Sequence, residues 1–432
     1  MLRKLILGAG VFAALLAVLI FSGKIPLGNP DQTAAGEVVL WGTLPEPEMN
    51  KVVQEFNPKA KTYRVVYKEI REDKFNQTLL EALANGAGPD MILAPYQMIL
   101  TQSPRLYPFP LASLGEKAFK DTYVDGSNVM WTPLGALALP VSVDPMVLFY
   151  NRSLFSKHGI ANPPTYWDEV VNVVPTLTSA NAQGQFLESG IALGAPNLAY
   201  AKDIIMAIIW QLGQVPVLAF YDQAGAISLQ IAANTPTTEG GDVFPLSTVI
   251  RFFTQFADPT QRTYTWNQFS GNADDQFVAE KVAMYVGYAS ELGTLRARNP
   301  KADIEMTYLP QTRGYGTFAT GMKMYGIATL KSSKNPVTAL SVEAQFAGGG
   351  VSPTIAGIVG SVPALRSYAS VPGVDAVISL SMLNARGWYD SFSDASTAYV
   401  MSMLSDVISG RAGVTDAANT FVARLRDLYT PQ

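Results

Sequence analysis

The residues able to do chemistry in this sequence are mostly aromatics set beside amides. Tyr96-Gln97 pairs a stacking face with a side chain that both donates and accepts hydrogen bonds. The run YTWNQF at residues 264–269 puts Trp266 among further aromatics and amides on a loop. Such groupings suit polyols, whose apolar C–H faces are rimmed with hydroxyls; a hydrophobic loop packed onto its own domain would have the same composition. Acid/base and metal chemistry find little support. The chain has no cysteine and one histidine, His158, so thiolate sites, disulfides, His-rich metal centres and most histidine triads are excluded. His158 precedes Gly159 at the end of a short helical stretch, where hydrogen bonding to terminal carbonyls is an ordinary role. Neither a cofactor nor a metal is expected.

Strands must present these groups. Residues 38–43, VVLWGT, read as a buried parallel strand. Ligands of open α/β sheets gather at the carboxyl ends of strands, which nominates Trp41, Thr43 and Glu46. Trp41 fits a core position equally well, and Thr43 and Glu46 fit a solvated turn. Helix over 48–56, strand over 63–69 and amphipathic helix over 74–85 follow, a doubly wound β-α-β-α start. Gly86, Gly88 and Pro89 end that helix, and residues 91–94 form a short buried strand with Tyr96 and Gln97 just past its carboxyl end. Asp90 lies at the opposite end of that strand, as a turn former.

Residues 140–171, PVSVDPMVLFYNRSLFSKHGIANPPTYWDEVV, read as strand, a break at Asp144-Pro145, strand again and a short helix, then a helix capped by Thr165 with Asp168 and Glu169 in its first turn. This stretch resembles the lobe-crossing segment of extracellular solute-binding proteins of the maltose-binding type (family 1), the substrate-binding components of ABC importers. GAGPDMILA at 86–94, FVAEKVAMYVGY at 277–288 and GIVGSVPALRSY at 357–368 resemble three further signatures of that family, in the family's order. The second departs from the family pattern at Tyr288, which stands in place of a tryptophan.

The resemblance implies an α/β fold of the periplasmic-binding-protein-like type II: two discontinuous doubly wound α/β lobes joined by a hinge, the first from 37–143 and 318–352, the second from 144–317 and 353–432. It also implies a non-catalytic role, the capture of an extracellular solute, a sugar or oligosaccharide, for an ABC permease. Asp144 would face the cleft, where a carboxylate can accept hydroxyl hydrogen bonds. Asn197, Tyr200 and Trp210 fall before and along a buried helix at 200–212 that carries contacts in the family; Trp210 fits a core role as well. Tyr288 and Trp388 would stack on the solute. A peptide, polyamine or anion ligand on the same fold, or a surface protein without transport, are the alternatives. A glycosidase-like carboxylate pair drawn from Glu46, Asp144 and Glu291 has no spacing to single it out. The glycine-rich GYGTFATG at 314–321 lacks the Lys-Ser/Thr of a phosphate loop and reads as the return crossing.

Length and charge agree with this. The 432 residues suffice for two cores, and charged residues make up 15% against roughly 25% in ordinary soluble proteins. The net charge of −4 offers no basic surface for nucleic acid. Residues 1–23 carry Arg3 and Lys4 before an uncharged apolar run, which predicts a membrane-directed signal-anchor helix, with 24–36 as a flexible tether and the lobes on the extracytoplasmic side. Cleavage and release of the lobes is the alternative. Residues 214–242 read as loops with room for a short hairpin.

Overall fold

The computed structural model describes residues 36–60, 62–213, 217–221, 227–231 and 245–429. The anchor segment 1–23 and tether residues 24–35 lie outside them, as does most of 214–242. Among the described residues no helix is long and apolar enough to cross a membrane. The chain forms two compact units, one from residues 36–143 and 324–371, the other from 144–323 and 372–429. Residues 318–323, expected with the first lobe, thus belong to the second unit, and 353–371 the reverse. Hydrogen bonds explain both. Met146 N–H donates to the Gly321 carbonyl at 2.9 Å and the Thr320 hydroxyl to the Met146 carbonyl at 2.6 Å, whereas Val362 and Pro363 pair with Val143 and Ser142.

In the first unit the strands Arg64–Glu69, Glu37–Gly42 and Met91–Pro95 lie side by side and parallel, in that order. Met322–Leu330 then runs antiparallel to Met91–Pro95, with Tyr325 opposite Pro95. Val38, Leu40, Val65, Met91 and Leu93 are buried against helices Glu46–Phe56 and Pro336–Phe346, whose Phe56 and Phe346 meet edge to face at 4.9 Å. Gly42 ends the first strand because nothing larger fits: a Cβ there would stand 2.7 Å from the Leu93 carbonyl and 2.8 Å from the Tyr67 hydroxyl.

The second unit takes its sheet from the far half of Leu139–Asn151. Residues 146–150 pair antiparallel with Val282–Tyr288, and 147–151 with Ile304–Tyr308. Phe186–Ile191 lies parallel to Val282–Tyr288. The break expected at Asp144-Pro145 is absent: the strand runs unbroken through it. Proline's fixed φ suits extended backbone, and its missing N–H costs nothing where no ladder bond is due. Asn151 caps the helix Arg152–Lys157 by accepting from Leu154 N–H, and Gly159 leaves it at φ +71°. The next helix, Trp167–Val173, is capped from Tyr166 rather than Thr165; the Glu169 carboxylate accepts from both backbone N–H groups. Within 214–242, Val217–Tyr221 and Ile227–Ile231 form an antiparallel hairpin.

The helix that leads into Val282–Tyr288 is short. Ala273–Val278 stops and the chain turns into Val282–Tyr288 through Glu280, the one non-glycine at positive φ among the described residues, at +58°. A left-handed side-chain-bearing residue costs roughly 1–2 kcal/mol. Asn151 Nδ2 donates to the Glu280 carboxylate at 3.2 Å and offsets part of this. Glu280→Gly is therefore expected to stabilise the second unit by about 0.5 kcal/mol net, a rise of roughly 1–2 °C in its melting temperature by calorimetry. A fall would mean that the side-chain bond outweighs the strain.

Candidate functional site

In the first unit the nominated residues converge on one end of the sheet. Gly42 and Leu93 are register partners in parallel strands, so Thr43 and Tyr96 both follow the carboxyl end of the sheet. Tyr325, opposite Pro95, joins them, and the Thr43 hydroxyl donates to its hydroxyl at 3.3 Å. Trp41 is buried under the Lys68 ammonium, 4.8 Å from the ring centroid. Glu46 is exposed and opens a helix; its N–H donates to Glu69 at 2.8 Å. Tyr96 is buried and Gln97 half-buried, at the start of helix Tyr96–Thr101.

The second unit assembles a denser cluster. Tyr200, at the start of helix Ala201–Gln211, meets Tyr288, at the end of strand Val282–Tyr288, edge to face at 4.9 Å and 83°. Over both lies Lys323, its ammonium 4.6 Å from the Tyr200 ring and 4.2 Å from the Tyr288 ring, and donating to the Tyr200 hydroxyl at 3.3 Å. Carboxylates surround them. The Tyr288 hydroxyl donates to Asp203 at 2.9 Å; Glu291 accepts from Tyr288 N–H at 2.9 Å and from the Tyr285 hydroxyl at 2.8 Å. Asp144 accepts from Ser290 N–H at 3.0 Å. Burial pushes the Asp144 carboxyl up to about 6, against the pull of Ser290 and Lys323. Burial likewise raises Asp203, with Lys202, Tyr288 and Lys323 opposing it. The half-buried Tyr200 ring can stack on a ligand ring, and the ammonium and carboxylates beside it can exchange hydrogen bonds with hydroxyls. Among the described residues no cluster of three or more metal-ligating side chains occurs.

What this arrangement belongs to is decided by the sequence match: residues 42–342 fit the profile of the bacterial extracellular solute-binding proteins. The chain is a member of that family. No curated protein sequence matches it. Among solved structures, a cyclo/maltodextrin-binding protein complexed with maltotetraose is 16% identical, with a TM-score of 0.72 over 94% of this chain and 99% of that one. The sugar-binding protein MalE from the phytopathogen Xanthomonas citri is 15% identical, with a TM-score of 0.72 over 91% and 97%. An ABC transporter solute-binding protein from Thermotoga lettingae, bound to α-D-tagatose, is 17% identical, with a TM-score of 0.62 over 91% and 100%. At this identity they establish the fold, the mixed α/β type II periplasmic-binding-protein architecture.

The remaining nominated residues of this solute-binding protein are dispersed. Asn197 is exposed, and its amide donates to the Gln268 carbonyl at 3.2 Å. Trp210 is half-buried with its indole N–H unpartnered among the described residues. Trp266 is 2% exposed and packs with Val147, Phe149 and Phe277 as a core side chain. Trp388 is 4% exposed, in a second core, with the Lys202 ammonium 5.4 Å from its ring centroid. Three charged groups central to the cluster, Asp203, Glu291 and Lys323, were not nominated for solute contact. Asp203 sits in a helix that reads as almost wholly apolar, and Lys323 beside an apolar strand; the only available signal was that each charge interrupts its run.

Proposed function

We propose that the protein captures a neutral polyol, a sugar or oligosaccharide, outside the cytoplasm and delivers it to an ABC permease, its two lobes closing on the solute. The observation that carries this reading is the half-buried Tyr200, backed by Tyr288 and set beside Asp144 and Lys323: an aromatic face for a sugar's C–H surface, with an acceptor and a donor at its margin. Stacked aromatics at ~0.5–1.5 kcal/mol each and hydrogen bonds at a similar net value reach micromolar affinity once the cost of association is met. Tyr288 supports the face from beneath. Thr43, Glu46, Tyr96 and Gln97 of the first lobe, above Trp41, would meet the solute's other side. A solute that touches both lobes favours the closed form by its differential affinity, and the permease would recognise that form. The sugars held by the proteins of like fold support the choice of ligand class. The apolar N-terminal segment would keep the lobes at the outer membrane surface, raising their concentration near the permease.

The test is a thermal-shift panel of neutral mono-, di- and oligosaccharides, amino acids, polyamines and inorganic anions. A ligand at 100-fold its dissociation constant adds about 2.7 kcal/mol, a shift of a few degrees. A shift confined to one sugar class is the expected result. A shift by a polyamine or an anion, with none by sugars, would contradict it.

A further inference from the structure

The Tyr288 ring is fully buried, and one of its faces is covered by Lys323. What the cluster presents outward is therefore the exposed lysine itself, fixed from below by two aromatic faces and a hydroxyl. An ammonium has three donors; the Tyr200 hydroxyl takes one. Asp144, Asp203 and Glu291 set the charge around it. Asp144 faces Lys323 on its strand, Ser290 and Glu291 at the turn after Val282–Tyr288, and Tyr200 at the head of Ala201–Gln211. Asp203 faces Lys323, Tyr288 and its neighbour Lys202, which is itself paired with Asp390. One available cation thus stands against three carboxylates.

Resting on the function proposed above, we propose that Lys323 is a specificity-determining residue of the site: it donates to a hydroxyl of the solute, while the carboxylates grouped around it turn away solutes that carry an acid. Its charge also joins the Ser290 hydrogen bonds in favouring the ionised form of Asp144. Burial raises the Asp144 carboxyl while the Ser290 hydrogen bonds and, to a lesser extent, the lysine hold it down, so removing the lysine releases a further rise.

The experiment titrates a responding neutral sugar, and the matching uronate, into the wild type, Lys323→Met and Lys323→Arg between pH 5 and 8. Loss of a charged hydrogen-bond donor is expected to weaken the neutral sugar about 10- to 100-fold in Lys323→Met. The uronate is expected to bind the wild type more weakly than the neutral sugar. Wild-type affinity should fall as pH drops through about 6. In Lys323→Met that midpoint moves to higher pH, whereas Lys323→Arg keeps it; a purely structural role would not move it. Circular dichroism separates misfolding from lost contact, and the arginine variant keeps the test intact if the methionine variant does not fold. Wild-type affinity and an unmoved midpoint in Lys323→Met would overturn the proposal, as would tighter binding of the uronate. If no saccharide binds the wild type, the function reading itself fails and this one with it.

Discussion

Replacing Lys202 by methionine is expected to destabilise the second unit by about 3–5 kcal/mol, because it strands a buried carboxylate. Lys202 is 8% exposed and Asp390 0% exposed. The ammonium donates to Asp390 Oδ2 at 2.9 Å, to the Ser393 hydroxyl at 2.9 Å and carbonyl at 3.2 Å, and to the Ser396 hydroxyl at 3.3 Å. Without it Asp390 keeps only the Ser396 hydroxyl on Oδ2, and its Oδ1 has no partner among the described residues. The Trp388 ring loses its cation in the same step. Replacing both partners by apolar residues, Lys202→Met with Asp390→Leu, should recover much of the loss, since a buried pair contributes little net against a well-packed apolar substitute. Urea denaturation of the two variants measures this. A cost under about 1 kcal/mol for the single change would mean that Asp390 does not depend on the lysine.

The second large effect is a pH dependence in the first unit. Glu343, on helix Pro336–Phe346, is 0% exposed; one carboxylate oxygen accepts from the Thr329 hydroxyl at 2.7 Å and the other has no partner among the described residues. Burial pushes its carboxyl up to about 8, so at neutral pH it is mostly protonated. The raised value fixes the sign. The folded unit holds a proton that the unfolded chain gives up above its ordinary carboxyl range, so this stabilisation is complete below about 4.5 and is lost as pH rises through about 8. The total is on the order of a few kcal/mol. Glu343→Gln, which stays neutral, should unfold with a midpoint that varies far less between pH 5 and 9, and should be the more stable form at pH 9. Parallel wild-type and variant curves across that range would contradict the assignment.

Local signals in the sequence were enough for the elements that frame the site. The apolar runs at 38–43 and 91–94, each closed by glycine, threonine or proline, became Glu37–Gly42 and Met91–Pro95, and Gly159 follows the end of its helix as read. Asp144-Pro145 misled because the pair signals a turn only when its neighbours are free to bend. Here strands on both sides hold the chain extended, and Ser290 satisfies the carboxylate. The turn at Glu280 is hard to read for the opposite reason: a left-handed turn normally announces itself with glycine, and this one does not. The charged groups were the least legible. Lys202 and Asp390 are 188 residues apart in the chain, and Lys323 finds Tyr200 across 123, so no local pattern marks either pairing. Tyr200, Tyr288 and Asp144 were reached through family resemblance. The lysine above them has no counterpart in the quoted signatures.

The most direct test of the account is a calorimetric titration of the sugar that gives the largest thermal shift, into the wild type and into Tyr200→Ala. Tyr200 is the half-exposed member of the aromatic pair, so its truncation removes a face without hollowing the core. The account predicts one saturable site in the wild type, weakened at least about tenfold in the variant. Binding of equal strength in both, or a wild type that takes up no neutral sugar at all, would contradict it.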